Sequence, residues 1–437
     1  MGLSLLDPTA AMLRLPIHPL FALLGLSTLL LTLALVSGYA WGCIPVLVLT
    51  VFVLRFVDPR VHLSHPRFQP GRPLFHTLSS SRQCQDDWYA SISGPSGGDT
   101  LDVALMIRKS GGLYPEHQGA YVLVIDYLAR VTYYYRYGLD EVQVPAEQGV
   151  GHDFRVRVGE NLFSNDRIEL SLPRQRYCGT WLGAHENHKL LERAGGVPEL
   201  LELELEFEGK GPNHPYNWLQ QSIMGFATLI PFNTFFPDIL ISNARVRGRS
   251  SGLSRVLELD AGEHRVYMER YHGTGFPRSW LWGGAQQWDD PDTEVSFVYG
   301  IVYEKGKMPG AGWSFGLQLG ERFFSFSPGH FGRLHEFRFD ELDGVRRINA
   351  SASDSRGYQL HFECRGCSEE EELEIWGVQD HGFTLGPIAD HGCAGSIDLK
   401  LEDPSGELIW EGRSRNPAFE FNGDYQAVYA KLREVLD

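Results

Sequence analysis

The chain is short of basic charge: 39 Lys and Arg stand against 55 Asp and Glu, a formal net charge of -16 over 437 residues. A nucleic-acid binder needs cations to neutralise phosphates, so no nucleic-acid partner is expected and a neutral or apolar one is. Cysteine is sparse too, with six residues at 43, 84, 178, 364, 367 and 393. They are too dispersed to staple a small domain. Cys364 and Cys367, followed by His381, His391 and Cys393, supply half of a zinc pattern; paired ligands at zinc-ribbon spacing are missing from the second half, so no metal is expected. Phosphate-cradling loops, a nucleophile elbow and a dinucleotide fingerprint are also missing. Gly273 and Gly275 make a two-glycine turn without the strand-to-helix setting that nucleotide binding needs.

Charge is absent altogether from residues 20–36, LFALLGLSTLLLTLALV, and a second apolar run follows at 43–54 after the small-residue break at 37–42. Two such runs joined by a tight turn predict a membrane helical hairpin. Each is near or below the ~17 residues that a span needs, so the hairpin could dip in without crossing squarely. Arg14 precedes it, Arg55, Arg60, His65, Arg67 and Arg72 follow, and the turn has no Lys or Arg. Both ends then belong on the cytoplasmic side. The competing reading is a cleaved signal peptide ending at Gly38, Tyr39 and Ala40, which would leave the second run behind as an anchor. Pro59, Pro66, Pro70 and Pro73 mark residues 58–73 as an extended linker.

What remains is rich in glycine, 48 residues, and 12% aromatic, a composition of short strands and tight turns. Strands are expected at 88–92, 101–108, 120–125, 131–135, 153–158, 168–172 and 199–208. The last, ELLELELEFE, alternates apolar with Glu, as a strand with one buried and one wet face does. A proline-broken stretch at 217–243 leads to a second set at 245–249, 266–270, 295–303, 315–319, 323–327, 346–353, 358–364 and 397–401. Tyr425, Val428, Leu432 and Val435 share one stripe and predict a short C-terminal helix. The fold class is all-β, organised as an N-terminal hairpin (1–57), the linker, and two β halves at 74–243 and 244–437.

Residues 267–282, YMERYHGTGFPRSWLW, concentrate the chemistry. A strand enters, Gly273, Gly275 and Pro277 turn the chain, and Trp280, Leu281 and Trp282 form a second strand. Glu269, Arg270, Tyr271 and His272 are thus expected at the mouth of a hairpin, where β-barrels keep their chemistry.

These residues resemble the tocopherol cyclase family, whose members are similar to two lipocalin-like β-barrels in tandem and are related to carotenoid hydratases. The likeness spreads over 86–422. Asp86, Asp87, Trp88 and Tyr89 are similar to a Glu-Gly-Trp-Tyr opening, with Leu105 to Arg108 as the next strand. Asn161 to Ser164 resembles an Asn-x-Phe-Ser element. Met224, Gly225 and Phe226 with Pro231 and Phe232 match the joint between the barrels. Glu269 to Gly273, then Phe276 and Pro277, then Trp280 and Trp282, are similar to Glu-Lys-Asn-Trp-Gly, Phe-Pro and Trp-x-Trp, and Gly392 to Gly395 resembles a Cys-x-Gly element. The chain departs at Arg270, Tyr271, His272 and Gly284, and has Gln286 where Asn is expected.

The resemblance implies a membrane-associated, cofactor-independent cyclase or isomerase acting on a prenylated quinol-like or isoprenoid lipid. A double bond is protonated to a tertiary cation and a hydroxyl closes onto it. The alternatives are hydration of an isoprenoid double bond and a non-catalytic carrier of a lipid or pigment. Such a site needs a carboxylic acid kept protonated by burial and aromatic faces to stabilise the cation. Glu269 and Asp86 are the expected acids, with Tyr271 and His272 as proton relays; Trp88, Tyr89, Arg270, Phe276, Trp280, Trp282 and Gln286 are the expected substrate contacts. The competing structural reading pairs Glu269 with Arg270 or Arg278.

Overall fold

A computed structural model describes residues 83–423, apart from 96–98, 111–114, 145–154, 209–234, 274–276, 278, 291–293, 305–309, 369–371, 380–383, 394 and 415, together with 430 and 432. The expected hairpin at 1–57 and the linker lie outside the described residues. Among those described, no helix is long and apolar enough to cross a membrane. Of the C-terminal stripe only Leu432 is described; it is helical, like Ala430, and wholly buried.

The described residues are mostly β, in three antiparallel sheets, with short helices at Gly179–Leu182 and His185–Arg193. The first comprises β1 (Gln83–Ser93), β2 (Leu101–Ser110), β3 (Gly119–Asp126), β4 (Val131–Tyr137), β5 (Val142–Gln143), β6 (Arg155–Val158), β7 (Asn161–Ser164), β8 (Arg167–Pro173), β9 (Leu200–Glu208), β10 (Phe235–Ser251), β11 (Leu257–Leu259) and β12 (Arg265–Gly273). Its order is β4-β3-β2-β1-β12-β10-β9-β8-β7-β6-β5, with β11 on β10. Side chains from strands far apart in this order, Tyr135 of β4, Trp88 of β1, Val246 of β10 and Val142 of β5, belong to one apolar cluster. A sheet whose distant strands share a core must curl around it.

The second half adds β13 (Ser279–Ala285), β14 (Val295–Glu304), β15 (Gly310–Leu319), β16 (Arg322–Phe326), β17 (Arg333–Leu342), β18 (Val345–Ser353), β19 (Gln359–Ser368), β20 (Leu373–Gln379), β21 (Thr384–Gly392), β22 (Ser396–Glu402), β23 (Leu408–Ser414) and β24 (Ala418–Asn422). One sheet runs β16-β15-β14-β13-β24-β21-β20 and the other β17-β18-β19-β22-β23. Phe297, Phe315 and Phe362 from the two sheets meet in a second core, with centroids 5.0 and 5.1 Å apart.

Two expectations need correction. The boundary at 243 and 244 falls inside β10, and β12 also belongs to the first sheet, so that sheet ends at Gly273. The cause is register: β12 lies between β1 and β10, pairing with both. Likewise β12 and β13 are not a hairpin. β13 pairs with β14 and β24 in the second sheet, so the chain changes sheet between Gly273 and Ser279.

Candidate active site

Strand alternation decides what this crossover brings together. In β12, Val266 and Met268 face the first core, so Tyr267 and Glu269 face the other way. In β1, Trp88 and Ala90 point inward and Tyr89 outward, directly opposite Glu269. The outward face packs against β13, β21 and β24: Tyr89, Ile239 and Tyr267 share an apolar cluster with Trp280, Trp282, Ala389 and Ala418. The candidate site is therefore the layer between the first and second sheets, not the mouth of a barrel.

Glu269 is 2% exposed there. Its Oε2 accepts from the Tyr267 hydroxyl at 2.7 Å, and Oε1 has no hydrogen-bond partner. Burial lifts the carboxyl well above its ordinary range; the Tyr267 hydroxyl and the nearby Trp282 indole oppose this, and the charge of Glu420 adds to it. Burial thus favours the neutral form of a carboxyl that shares its surroundings with Trp280 and Trp282. Trp282 meets Tyr89 edge-on at 5.5 Å and Tyr267 at 6.1 Å.

Beside it is a polar cluster that sequence inspection does not reveal. Asp102 Oδ2 accepts from the Tyr89 and Tyr127 hydroxyls, each at 2.5 Å, and lies 2.8 Å from His391 Nε2. His391 Nδ1 is 3.1 Å from Glu420 Oε1, and Glu420 Oε2 accepts from the Trp280 indole at 3.1 Å. Burial opposes charge on His391, but hydrogen bonds to Asp102 and Glu420 and their charges outweigh it and raise the imidazole to about 9. Both ring nitrogens then donate, one to each carboxylate. Burial and the charges of Asp102 and Glu420 push the Tyr89 hydroxyl up, so it stays protonated.

The expected residues divide between the two faces. Glu269, Tyr89, Trp280 and Trp282 come together between the sheets. Tyr271 is half-buried on the same side, opposite Asp87, and Gln286 is buried beyond Trp282 and Gly284. Asp86 does not join them. It faces the first core, where Arg270 binds it through Nε at 2.7 Å and Nη2 at 3.0 Å and lies over Trp88 at 5.4 Å. Contact with both carboxylate oxygens is the bidentate geometry of a strong Arg–carboxylate ion pair. Asp86 and Glu269 thus sit on neighbouring strands of one sheet but on opposite faces, and Arg270 pairs with Asp86 instead of Glu269. His272 is in register with Asp86, and Phe276 and the His272 side chain lie outside what is described.

Asp102, Tyr127, Tyr267, His391 and Glu420 went unrecognised as site residues. Their one local signal is a polar group on the covered face of a strand, as in AFEFN of β24. Of the half-zinc residues, Cys364 contacts the Tyr299 hydroxyl at 3.3 Å in the second core and His391 lies between two carboxylates, while His381 and the Cys367 side chain lie outside what is described. Among the described residues no cluster could hold a metal ion.

No family model and no curated protein matches the chain. Solved structures that resemble it include an AttH-type protein of Nitrosomonas europaea (TM-score 0.41, 12% identity, covering 81% of this chain and 98% of that one). Kievitone hydratase of Nectria haematococca (0.39, 12%, 82% and 99%) and CghA with Sch210972 (0.46, 9%, 78% and 88%) are others. At these scores the likenesses carry no argument about chemistry, and the tocopherol cyclase resemblance rests on the quoted residues alone.

Proposed function

We propose that the layer between the sheets is an acid–base site that protonates a carbon–carbon double bond of an apolar, isoprenoid-type small molecule, with Glu269 as the acid. The observation that carries this is a buried carboxyl whose burial favours its neutral form, set in an apolar cluster with Trp280 and Trp282 and with no close hydrogen-bond partner on Oε1. A neutral carboxylic acid can give its proton to an alkene, and indole faces stabilise the resulting cation by about 0.5 to 2 kcal/mol each. An oxygen nucleophile then adds to the cation, and the proton it loses restores Glu269, so no redox step is involved. If the nucleophile is the substrate's own hydroxyl the reaction is a cyclisation, as in the tocopherol cyclase-like reading; if it is water, a hydration.

The fixed Asp102–His391–Glu420 array supports the same reading by surrounding the site with ordered charge that need not reorganise during reaction. On this reading the apolar runs at 20–36 and 43–54 would hold the protein at the bilayer in which such a substrate resides, with the folded part on the cytoplasmic side. The test is conversion of a prenylated hydroquinone followed by mass spectrometry. Glu269→Gln should lower turnover by about 10²- to 10⁴-fold. Turnover within threefold of wild type would refute Glu269 as the acid, and equal retention of unchanged lipid by both proteins would identify a carrier.

A further inference from the structure

The outward face of the first sheet continues beyond Glu269 to a second polar group that the proposed reaction does not use. β1 places Gln85, Asp87 and Tyr89 on that face, opposite Arg108, Met106 and Ala104 of β2. Gln85 is 2% exposed, yet neither its Nε2 nor its Oε1 has a hydrogen-bond partner. A buried carboxamide offers two donors and an acceptor, and leaving them all unmet is costly. Beside it Asp87 and Arg108 form a buried ion pair, which cancels their net charge, and Asp87 Oδ2 is likewise unpartnered.

Between this group and Glu269 several side chains are only partly covered. Ala104 sits mid-strand with β1 on one side and β3 on the other, but it is only half-buried, as are Tyr271, Val302 and Phe323 around the same cluster. Solvent thus reaches the one small side chain in that part of the face.

We infer that Gln85, flanked by the Asp87–Arg108 pair, is a recognition subsite for an uncharged substrate head group that both donates and accepts hydrogen bonds, such as a carboxamide or an enol beside a carbonyl. This rests on the proposed function of the same site and sharpens its substrate. Four residues of strand separate Gln85 from Tyr89, the partner of Glu269, a distance of roughly 13 Å. A hydroxyl that closes onto a cation must lie within bonding reach of it, so a head group held at Gln85 is not the nucleophile. It orients an elongated molecule whose reactive double bond lies about 13 Å away.

Binding to the full chain, read by quenching of tryptophan fluorescence, separates the subsite from the chemistry. The probes are geranylgeranylacetamide and the matching hydrocarbon, titrated in the Glu269→Gln background so that nothing is turned over. The amide should bind about tenfold more tightly than the hydrocarbon, the scale of one or two hydrogen bonds to an otherwise unmet group. Gln85→Leu should reduce that preference below threefold while hydrocarbon affinity holds; Gln85→Met serves if the leucine variant does not fold. A preference unchanged by either substitution, or absent from the protein with Gln85 intact, overturns the inference. If the preference depends on Gln85 but Glu269→Gln leaves turnover intact, the subsite stands and the assigned acid falls.

Discussion

Glu269 and His391 each hold a proton in the folded protein that the unfolded chain releases more readily, and this makes stability fall as pH rises. For His391 the folded value of about 9 lies above the ordinary 6.5, so its contribution is fully present below pH 6.5 and is lost as pH climbs through 9. The displacement corresponds to something on the order of 3 kcal/mol. Urea unfolding at pH 6.5 and pH 9 measures it: wild type should lose stability over this interval, and His391→Gln should flatten the loss. An equal slope in both would remove His391 as the cause. Glu269 acts in the same direction from a lower starting point, since its carboxyl is raised by burial. Glu269→Gln, which has nothing to ionise, should therefore be more stable than wild type at pH 7 while losing turnover. Substitution at Asp86 should destabilise. With Arg270 at 1% exposure and Asp86 at 0%, Asp86→Ala strands a buried guanidinium and should cost about 3 to 5 kcal/mol in the same unfolding assay.

Among the elements, β9 shows how much of the fold was legible. Leu201, Leu203, Leu205 and Phe207 are buried and the intervening glutamates exposed, as the alternation required. Its partner strand carries the complementary charge, with Glu208, Glu206 and Glu204 opposite Arg245, Arg247 and Arg249. Sequence could not show which strands are neighbours across long separations. Asp86 and Glu269 both lie beside aromatics, and only the pairing of β1 with β12 reveals that their side chains leave the sheet on opposite faces. Asp102 and His391 are 289 residues apart and meet because two sheets pack, which no local pattern encodes. The β9–β10 pairing also makes a prediction. A Cβ at Gly248, whose φ is +156, would sit 1.9 Å from the backbone oxygen of Glu204, so Gly248→Ala must push the strands apart. Thermal melts should show a loss of about 1 to 3 kcal/mol. Gly300 of β14 has nothing within 4 Å of such a Cβ, and Gly300→Ala should be close to neutral.

At the scale of the whole molecule, the two β halves have separate cores, yet their described residues fall in one compact unit. The layer between them explains why. Met106, Tyr121 and Tyr134 of the first sheet pack with Leu182, Leu373, Ile375 and Cys393, next to the aromatic cluster of the candidate site, and Asp102 reaches across to His391. Apolar burial of this kind couples the unfolding of its two sides. The described part should therefore unfold in one transition, with far-UV dichroism and tryptophan fluorescence coinciding, although its two cores are distinct. Ile375 is 6% exposed in that layer. Ile375→Asp places a charge between the sheets without touching either core, so it should split the single transition into two and reduce turnover by loosening the face that holds Glu269. Two transitions already present in wild type, or a single one surviving in Ile375→Asp, would mean that the layer does not couple the halves, and a site built from both would have to be held together some other way.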